Sequence, residues 1–539
     1  MKTSLSRTVV SSVLACLLLL LALPFMALPV LAAPQAGVPD IASIDAYISA
    51  QMQANHIPGM ALGLVHNDQV VHLRGFGRAD QSGRVVTPQT PFLIGSLTKS
   101  FTAMAIMQLV EAGKIDLDAP VQRYLPWFRV ADATASAHIT VRQLLNHTSG
   151  LPTALNGIQN SGLATMTLEQ FVRGMSKVAL DRPVGSSFEY ANTGYMVLGL
   201  IVQTVSGEEY GTFIQQHILA PLHMQHSYVS LQEARQNGMV QGYEWFYGVA
   251  FPTDDPDLHI PSLLPAGLLI SSAQDMSHYL IAQMNNGRYG STSVLSPKGI
   301  ATMHAPAAPE VVEAYGPNTA YGMGWFNGPI NGVPAVWHDG ITPTSHAFMV
   351  IEPQIHWGAI LLVNANNFLV NSLTFQHIQA GVAGLLAGHE PPQTSLNLTT
   401  LYLIIDGIIV LISALVLWPL LRLPWWYKRF QQRPRHRVLR LALPLARELI
   451  LPVLILIVPS WPSLLFYYPD IGWWLAGIIA LLFITAIIRI VLAFLALRKK
   501  SVEVLSTTPS PTQVSRKPSH ERGSSAILTI RRLPPQPPV

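Results

Sequence analysis

One cysteine, Cys16, is present in 539 residues. No internal disulfide can form, so an exported domain has only its apolar core to hold it. A domain of about 350 residues buries enough surface for that. Charge is also scarce, with 12% charged residues against 50% hydrophobic ones. The net charge of +4 is not spread over one face as a nucleic-acid partner requires. It collects in residues 422–440, which hold no acid, and in the tail from Arg498, both beside apolar spans, so no nucleic acid is expected as a partner. The 18 histidines include no H-E-x-x-H or H-x-H-x-D-H pattern, and His304, His338 and His346 have no regular ligand spacing. No metal or organic cofactor is implied. A G-x-S-x-G elbow is missing too, which disfavours an α/β-hydrolase, and there is no internal repeat.

Long apolar runs are present. Residues 1–33 combine Lys2 and Arg7, an apolar stretch over 13–23 and Leu31-Ala32-Ala33. They read as a signal peptide with a small-residue cleavage site, the alternative being an uncleaved anchor. Cys16 lies inside that apolar core as a filler. After Glu390-Pro391-Pro392 the composition changes, and residues 401–421, 443–466 and 471–497 are each long enough for a bilayer, which takes about 20 residues. A basic loop over 422–440 on the inside places the domain 34–392 outside, in agreement with an export signal, and makes the lipid bilayer a partner. The expected location is therefore the cell membrane, multi-pass, with the large domain extracytoplasmic. Glu448 and Arg489 fall inside the spans within 398–498, where they either pair or snorkel to headgroups. Residues 499–539, rich in Ser, Thr, Pro and Arg, are expected to be disordered.

Three short motifs occur in order. Ser96-Leu97-Thr98-Lys99 is an S-x-x-K step, and residues 100–113 alternate as an amphipathic helix stopped by Gly113. A helix opening at Ser96 sets Lys99 one turn on, with its amine beside the hydroxyl. The helix N-terminus favours an anion forming there. A serine needs a base to become a nucleophile, and a neutral, desolvated lysine can serve. Tyr190-Ala191-Asn192 and His338-Asp339-Gly340 follow. Around them, residues 57–76 read as a strand hairpin turning at His66-Asn67-Asp68. Residues 141–145, 168–174 and 195–205 read as helices, and 347–351 and 359–365 as strands.

At these residues the chain resembles the serine β-lactamase and penicillin-binding-protein superfamily, whose motifs are S-x-x-K, Y-x-N and K-T-G. It looks closest to the class C branch of β-lactamase-related serine hydrolases. Leu144-Leu145-Asn146-His147-Thr148-Ser149-Gly150-Leu151, Pro265-Ala266-Gly267 and Tyr321-Gly322-Met323-Gly324-Trp325 sit where that branch carries similar text. The resemblance covers roughly residues 41–386. It implies an α/β (α+β) fold, an antiparallel sheet flanked by helices plus a helical region, here followed by an all-α region of three spans.

The resemblance also implies roles. Ser96 is the acyl-accepting nucleophile, and its N–H with that of Ile341 forms an oxyanion hole. Lys99 takes the serine proton or holds the network that does. Tyr190 protonates the leaving group, with a pKa depressed by Lys99 or a proton relayed through hydrogen bonds. Asn192 binds Lys99 and the substrate amide. His338 and Gly340 line the substrate, and His147 is a structural loop residue. In the third motif the chain departs from the pattern. His338 replaces the lysine, Asp339 replaces the hydroxyl residue that binds a substrate carboxylate, and Thr344 stands where glycine is usual. An efficient β-lactamase is thus disfavoured. The expected substrate is an ester or an amide in a small molecule or a peptidoglycan-like D-peptide, with specificity in loops such as residues 237–263. The other reading is a catalytically silent wall-binding or sensory module coupled to the spans.

Overall fold

The computed structural model describes residues 39–153, 165–307, 315–368, 371, 374–392, 397–457, 464–465 and 468–506. The proposed signal, 1–33, and residues beyond 506 lie outside the described residues. Seven strands form one antiparallel sheet: β1 (Gly59–His66), β2 (Gln69–Gly77), β3 (Ala320–Tyr321), β4 (Phe326–Ile330), β5 (Val333–Ile341), β6 (His346–Glu352) and β7 (Trp357–Val363). Their order is β2-β1-β7-β6-β5-β4-β3. The expected hairpin is β1–β2, and Asn67 turns it at φ 57, a left-handed conformation that asparagine tolerates.

Helices cover both faces of the sheet, which is why β6 and β7 are buried at every position. In chain order the helices that matter are α1 (Ile41–Ala54), α2 (Thr98–Glu111), α3 (Val141–Leu145), α4 (Leu168–Gly174), α5 (Asn192–Ser206), α6 (Ala273–Met284) and α7 (Phe375–Leu386). On one face Ile44 and Ile48 of α1 and Ile378 and Val382 of α7 pack with Leu62, Phe348 and Leu361. On the other, Gly63 and Gly358 leave room for α6, where a Cβ would strike Ser277 and Leu280 respectively. The α2–α5 region extends that second layer.

Two expectations need correction. Helix α2 is not amphipathic: Thr98 to Met107 are all buried, because α5 and the glycine-rich turn at Gly324 wrap it. Residues 237–263 are not only loop, since Tyr243–Phe246 and Val249–Pro252 form a hairpin paired with Ala365–Asn366.

Beyond residue 397 come α8 (Leu398–Leu421), α9 (Leu423–Gln432), α10 (Arg437–Leu456) and α11 (Pro469–Ser506). The two long apolar helices, α8 and α11, have the length and composition to cross a membrane. Helix α10, on the middle expected span, carries Arg437, Arg440, Arg447, Glu448, Pro444 and Pro452 and does not share that character. Residues 458–463 of that span are outside the described residues. Helix α11 runs to Ser506, so residues 499–506 are helical where disorder was expected. The chain divides into two compact units, Met1–Leu411 with Ser460–Trp474, and Ile412–Pro459 with Leu475–Val539. Inside the second unit Glu448 and Arg489 make the bidentate pair, at 2.9 and 2.7 Å, rather than snorkelling apart.

Candidate active site

Ser96 sits on a 3₁₀ turn, Gly95–Leu97, that leads straight into α2. Gly95 has φ 55, and a Cβ there would lie 2.9 Å from the backbone nitrogen of Ile341. Gly340 is under the same constraint, because its Cβ would strike the Ile94 carbonyl oxygen. These two glycines let the turn press against the end of β5, so Ser96 and Ile341 face the same small space.

Lys99 is fully buried one turn into the motif, with Nζ 3.0 Å from Ser96 Oγ, 2.7 Å from Asn192 Oδ1 and 2.7 Å from the Ala266 carbonyl oxygen. Burial holds its amine well below the ordinary lysine range, against the nearby Asp339 carboxylate, which favours the charged form. A neutral amine has two N–H groups and one lone pair. The carbonyl oxygens of Asn192 and Ala266 can only accept, so they take the two N–H groups. The lone pair is left facing the Ser96 hydroxyl.

Asn192 opens α5, and Tyr190 lies two residues before it with its ring 4.8 Å from Lys99 Nζ. The expected depressed phenol is not found. Burial, then the neighbouring Tyr315, hold Tyr190 well above the ordinary tyrosine value, and its hydrogen bond with Ser96 does not reverse this. Tyr190 is therefore a neutral O–H next to the serine.

His338 is buried, and both ring nitrogens are engaged within the protein. Nδ1 lies 2.6 Å from the Asp339 carbonyl oxygen, which can only accept, so Nδ1 carries the hydrogen. Nε2 then accepts from the Tyr321 hydroxyl at 3.0 Å. Burial lowers the imidazole to about 3, so it is neutral. No free donor remains for a substrate, contrary to the expected role. Asp339 is buried as well, at 8% exposed, and its side chain borders a cleft beside the strand end. Its carboxyl is pushed up to about 6 by burial, partly offset by its own backbone N–H and by Lys99.

The sequence profile of the Beta-lactamase family matches residues 44–378, which spans the sheet, the helical layer and all three motifs. The chain belongs to the Beta-lactamase family. With it the chain joins the serine hydrolases of the β-lactamase and penicillin-binding-protein superfamily, which act on amides and esters. Penicillin-binding protein 4 of Amycolatopsis lactamdurans is 29% identical over 342 residues, 63% of this chain and 88% of that one. Protein flp of Staphylococcus aureus is also 29% identical over 342 residues, again 63% of this chain but 66% of its own length, just under two thirds. The octameric penicillin-binding protein homologue from Pyrococcus abyssi superposes with a TM-score of 0.56 at 29% identity, over 65% of this chain and 78% of that one.

Within this Beta-lactamase-family site several contacts are invisible to motif reading. His147, at φ 57, turns its ring onto Tyr190 at 4.4 Å and onto Tyr321 at 4.8 Å. Its signal in the sequence was a histidine inside the Asn146-His147-Thr148 turn. Tyr315 stacks on Phe326 at 4.4 Å and borders Tyr190 at 6.4 Å. Nothing in the sequence near residue 315 announces this. Thr344, standing where glycine is usual, donates its hydroxyl to buried Asp255 at 2.8 Å, as Thr342 does at 2.6 Å. Asp255 thereby pins the turn that follows the third motif. Tyr315, Trp337, Asp339 and Gln379 line a cleft of about 240 Å³ on the Asp339 side.

Proposed function

We propose that this chain is a membrane-anchored, extracytoplasmic serine hydrolase that works through an acyl-enzyme on Ser96. The observation that carries the reading is the Lys99 amine, neutral and pinned by Asn192 and Ala266, with its lone pair toward Ser96 Oγ. Ser96 Oγ bonds to the substrate carbonyl carbon while its proton passes to Lys99 Nζ. The carbonyl oxygen becomes an oxyanion held by the N–H groups of Ser96 and Ile341. Collapse breaks the bond to the leaving alcohol or amine, which takes a proton from the Lys99–Tyr190 pair. Tyr190, kept as a neutral phenol, suits that donor role. Water then attacks the acyl carbon by the reverse route and frees Ser96.

The substrate reading follows from the third motif. Asp339 stands where a carboxylate-binding hydroxyl would be, and it repels a substrate carboxylate once ionised. Uncharged esters and amides, or D-peptides that present no carboxylate at this point, fit the site best. The neutral His338 shapes the strand end through Tyr321 and adds no charge. The silent-module reading offers no reason for Lys99, Asn192 and Ser96 to be held at hydrogen-bond distance. Treating the purified protein with a fluorophosphonate and mapping the adduct by mass tests the proposal. A single adduct on Ser96, lost in Ser96→Ala, is expected; an adduct that survives this substitution refutes it.

A further inference from the structure

The second compact unit carries a concentration of positive charge that its own acids do not balance. Between residues 412 and 457 Glu448 is the one acid, against seven arginines and Lys428. Both oxygens of Glu448 already accept from Arg489, whose side chain is 3% exposed. Arg447 reaches the same carboxylate only at 3.5 Å and leaves 51% of its side chain exposed. Arg422 makes no ion pair among the described residues and lies over Trp418 at 4.2 Å and Trp425 at 5.6 Å. Arg422, Arg447 and Arg489 line one cavity of about 370 Å³ together with Trp425, Trp426 and Pro444, all within this unit. Three guanidiniums thus line one concave site, and only those of Arg489 and Arg447 share the Glu448 carboxylate.

We propose that this cavity binds the phosphate of an anionic lipid headgroup, held by Arg422 and Arg447. The inference rests on the reading that α8 and α11 cross a bilayer. A guanidinium offers paired N–H donors that match phosphate oxygens. Arg489, braced by Glu448 and by the Trp426 ring at 4.6 Å, forms the rigid rear wall. Tryptophan side chains settle at the headgroup level of a membrane, and both tryptophans of this cavity follow directly on the end of α8. The occupant is therefore a lipid phosphate whose acyl chains leave along the apolar helices, rather than a soluble anion. Basic cavities between membrane helices bind anionic headgroups on the same physical grounds.

The test uses the full-length protein in nanodiscs of phosphatidylcholine with or without phosphatidylglycerol, and reads the lipid retained after detergent extraction by native mass spectrometry. Wild-type protein should retain phosphatidylglycerol over phosphatidylcholine. Arg422→Gln with Arg447→Gln should lower that preference about tenfold. Arg433→Gln with Arg435→Gln, which removes equal charge outside the cavity, should keep it. Equal retention of the two lipids, or an equal loss in both double variants, overturns the proposal. Inorganic phosphate that displaces the retained lipid at millimolar concentration would mark the site as one for a soluble anion and also overturns it. Flotation of the protein with vesicles reads the membrane assignment separately: a protein that does not float refutes the spans, and the lipid site with them. Ester hydrolysis by each variant reports that it is folded.

Discussion

The Nδ1 atom of His147 accepts a hydrogen bond from the backbone N–H of Ala191 at 3.1 Å. The bond ties the loop after α3 to the middle residue of the Tyr190-Ala191-Asn192 motif and presses the imidazole against Tyr190. Burial, with Lys99 and His338 nearby, keeps this histidine well below its ordinary pKa, so it stays neutral and Nδ1 stays an acceptor.

His147 is thus a positioning residue with a distinct signature. His147→Ala should lower kcat about tenfold with little change in KM, because Tyr190 and Asn192 lose their register rather than the substrate its contacts. His147→Asn should recover most of the rate, since asparagine tolerates φ 57 and offers an acceptor near the Nδ1 position. Steady-state kinetics on one ester substrate decide it; a loss confined to KM would contradict the assignment.

Asp339 should set the acid limb of the pH–rate profile. Lys99 is active as the neutral amine, so activity falls as pH drops through its lowered pKa. The Asp339 carboxylate favours the protonated amine, and Asp339→Asn removes that charge. The acid limb of kcat/KM should then move to lower pH. A limb that stays in place, or moves up, would show that Asp339 does not act on Lys99.

Glu352 offers a stability test away from the site. It ends β6, is buried, and neither carboxylate oxygen has a hydrogen-bond partner among the described residues. Burial pushes its pKa up to about 8 from 4.5. The folded state therefore binds the proton more tightly than the unfolded chain, and stability falls as pH climbs from 4.5 through 8. Glu352→Gln should raise the midpoint of thermal unfolding clearly at pH 9 and little at pH 5. The reverse pattern would mean that the carboxylate is charged and partnered in the fold.

The proposed topology, in which the chain recrosses the bilayer between residues 432 and 468, is testable in whole cells. Cysteines placed singly at Gln432 and Tyr468, in a Cys16→Ser background, should differ in access to an impermeant thiol reagent. Tyr468 should label on intact cells and Gln432 only after lysis. The opposite result would put the catalytic unit in the cytoplasm.

What the sequence determined on its own was local. S-x-x-K places an amine one helical turn from a hydroxyl whatever surrounds it, so Lys99 beside Ser96 was legible from spacing. The β1–β2 hairpin was legible from alternation around an asparagine turn, and β6 and β7 from apolar runs. Ordered motifs then carried the family, and through it the sheet-and-helix architecture. Tertiary structure decided the rest, because burial and partners distant in sequence set each group's chemistry. His338 gives its Nδ1 hydrogen to the Asp339 carbonyl and its Nε2 lone pair to the hydroxyl of Tyr321, 17 residues earlier, while the buried Asp339 carboxyl borders the cleft. Tyr190 stays a high-pKa phenol because the folded site desolvates it more than its neighbours stabilise the anion. Thr344 turns toward Asp255, 89 residues back, and Glu448 finds Arg489 41 residues on. A linear pattern records which side chains are present and how far apart along one element; which of them meet in the dry interior, and with what charge, is fixed only when the chain closes around them.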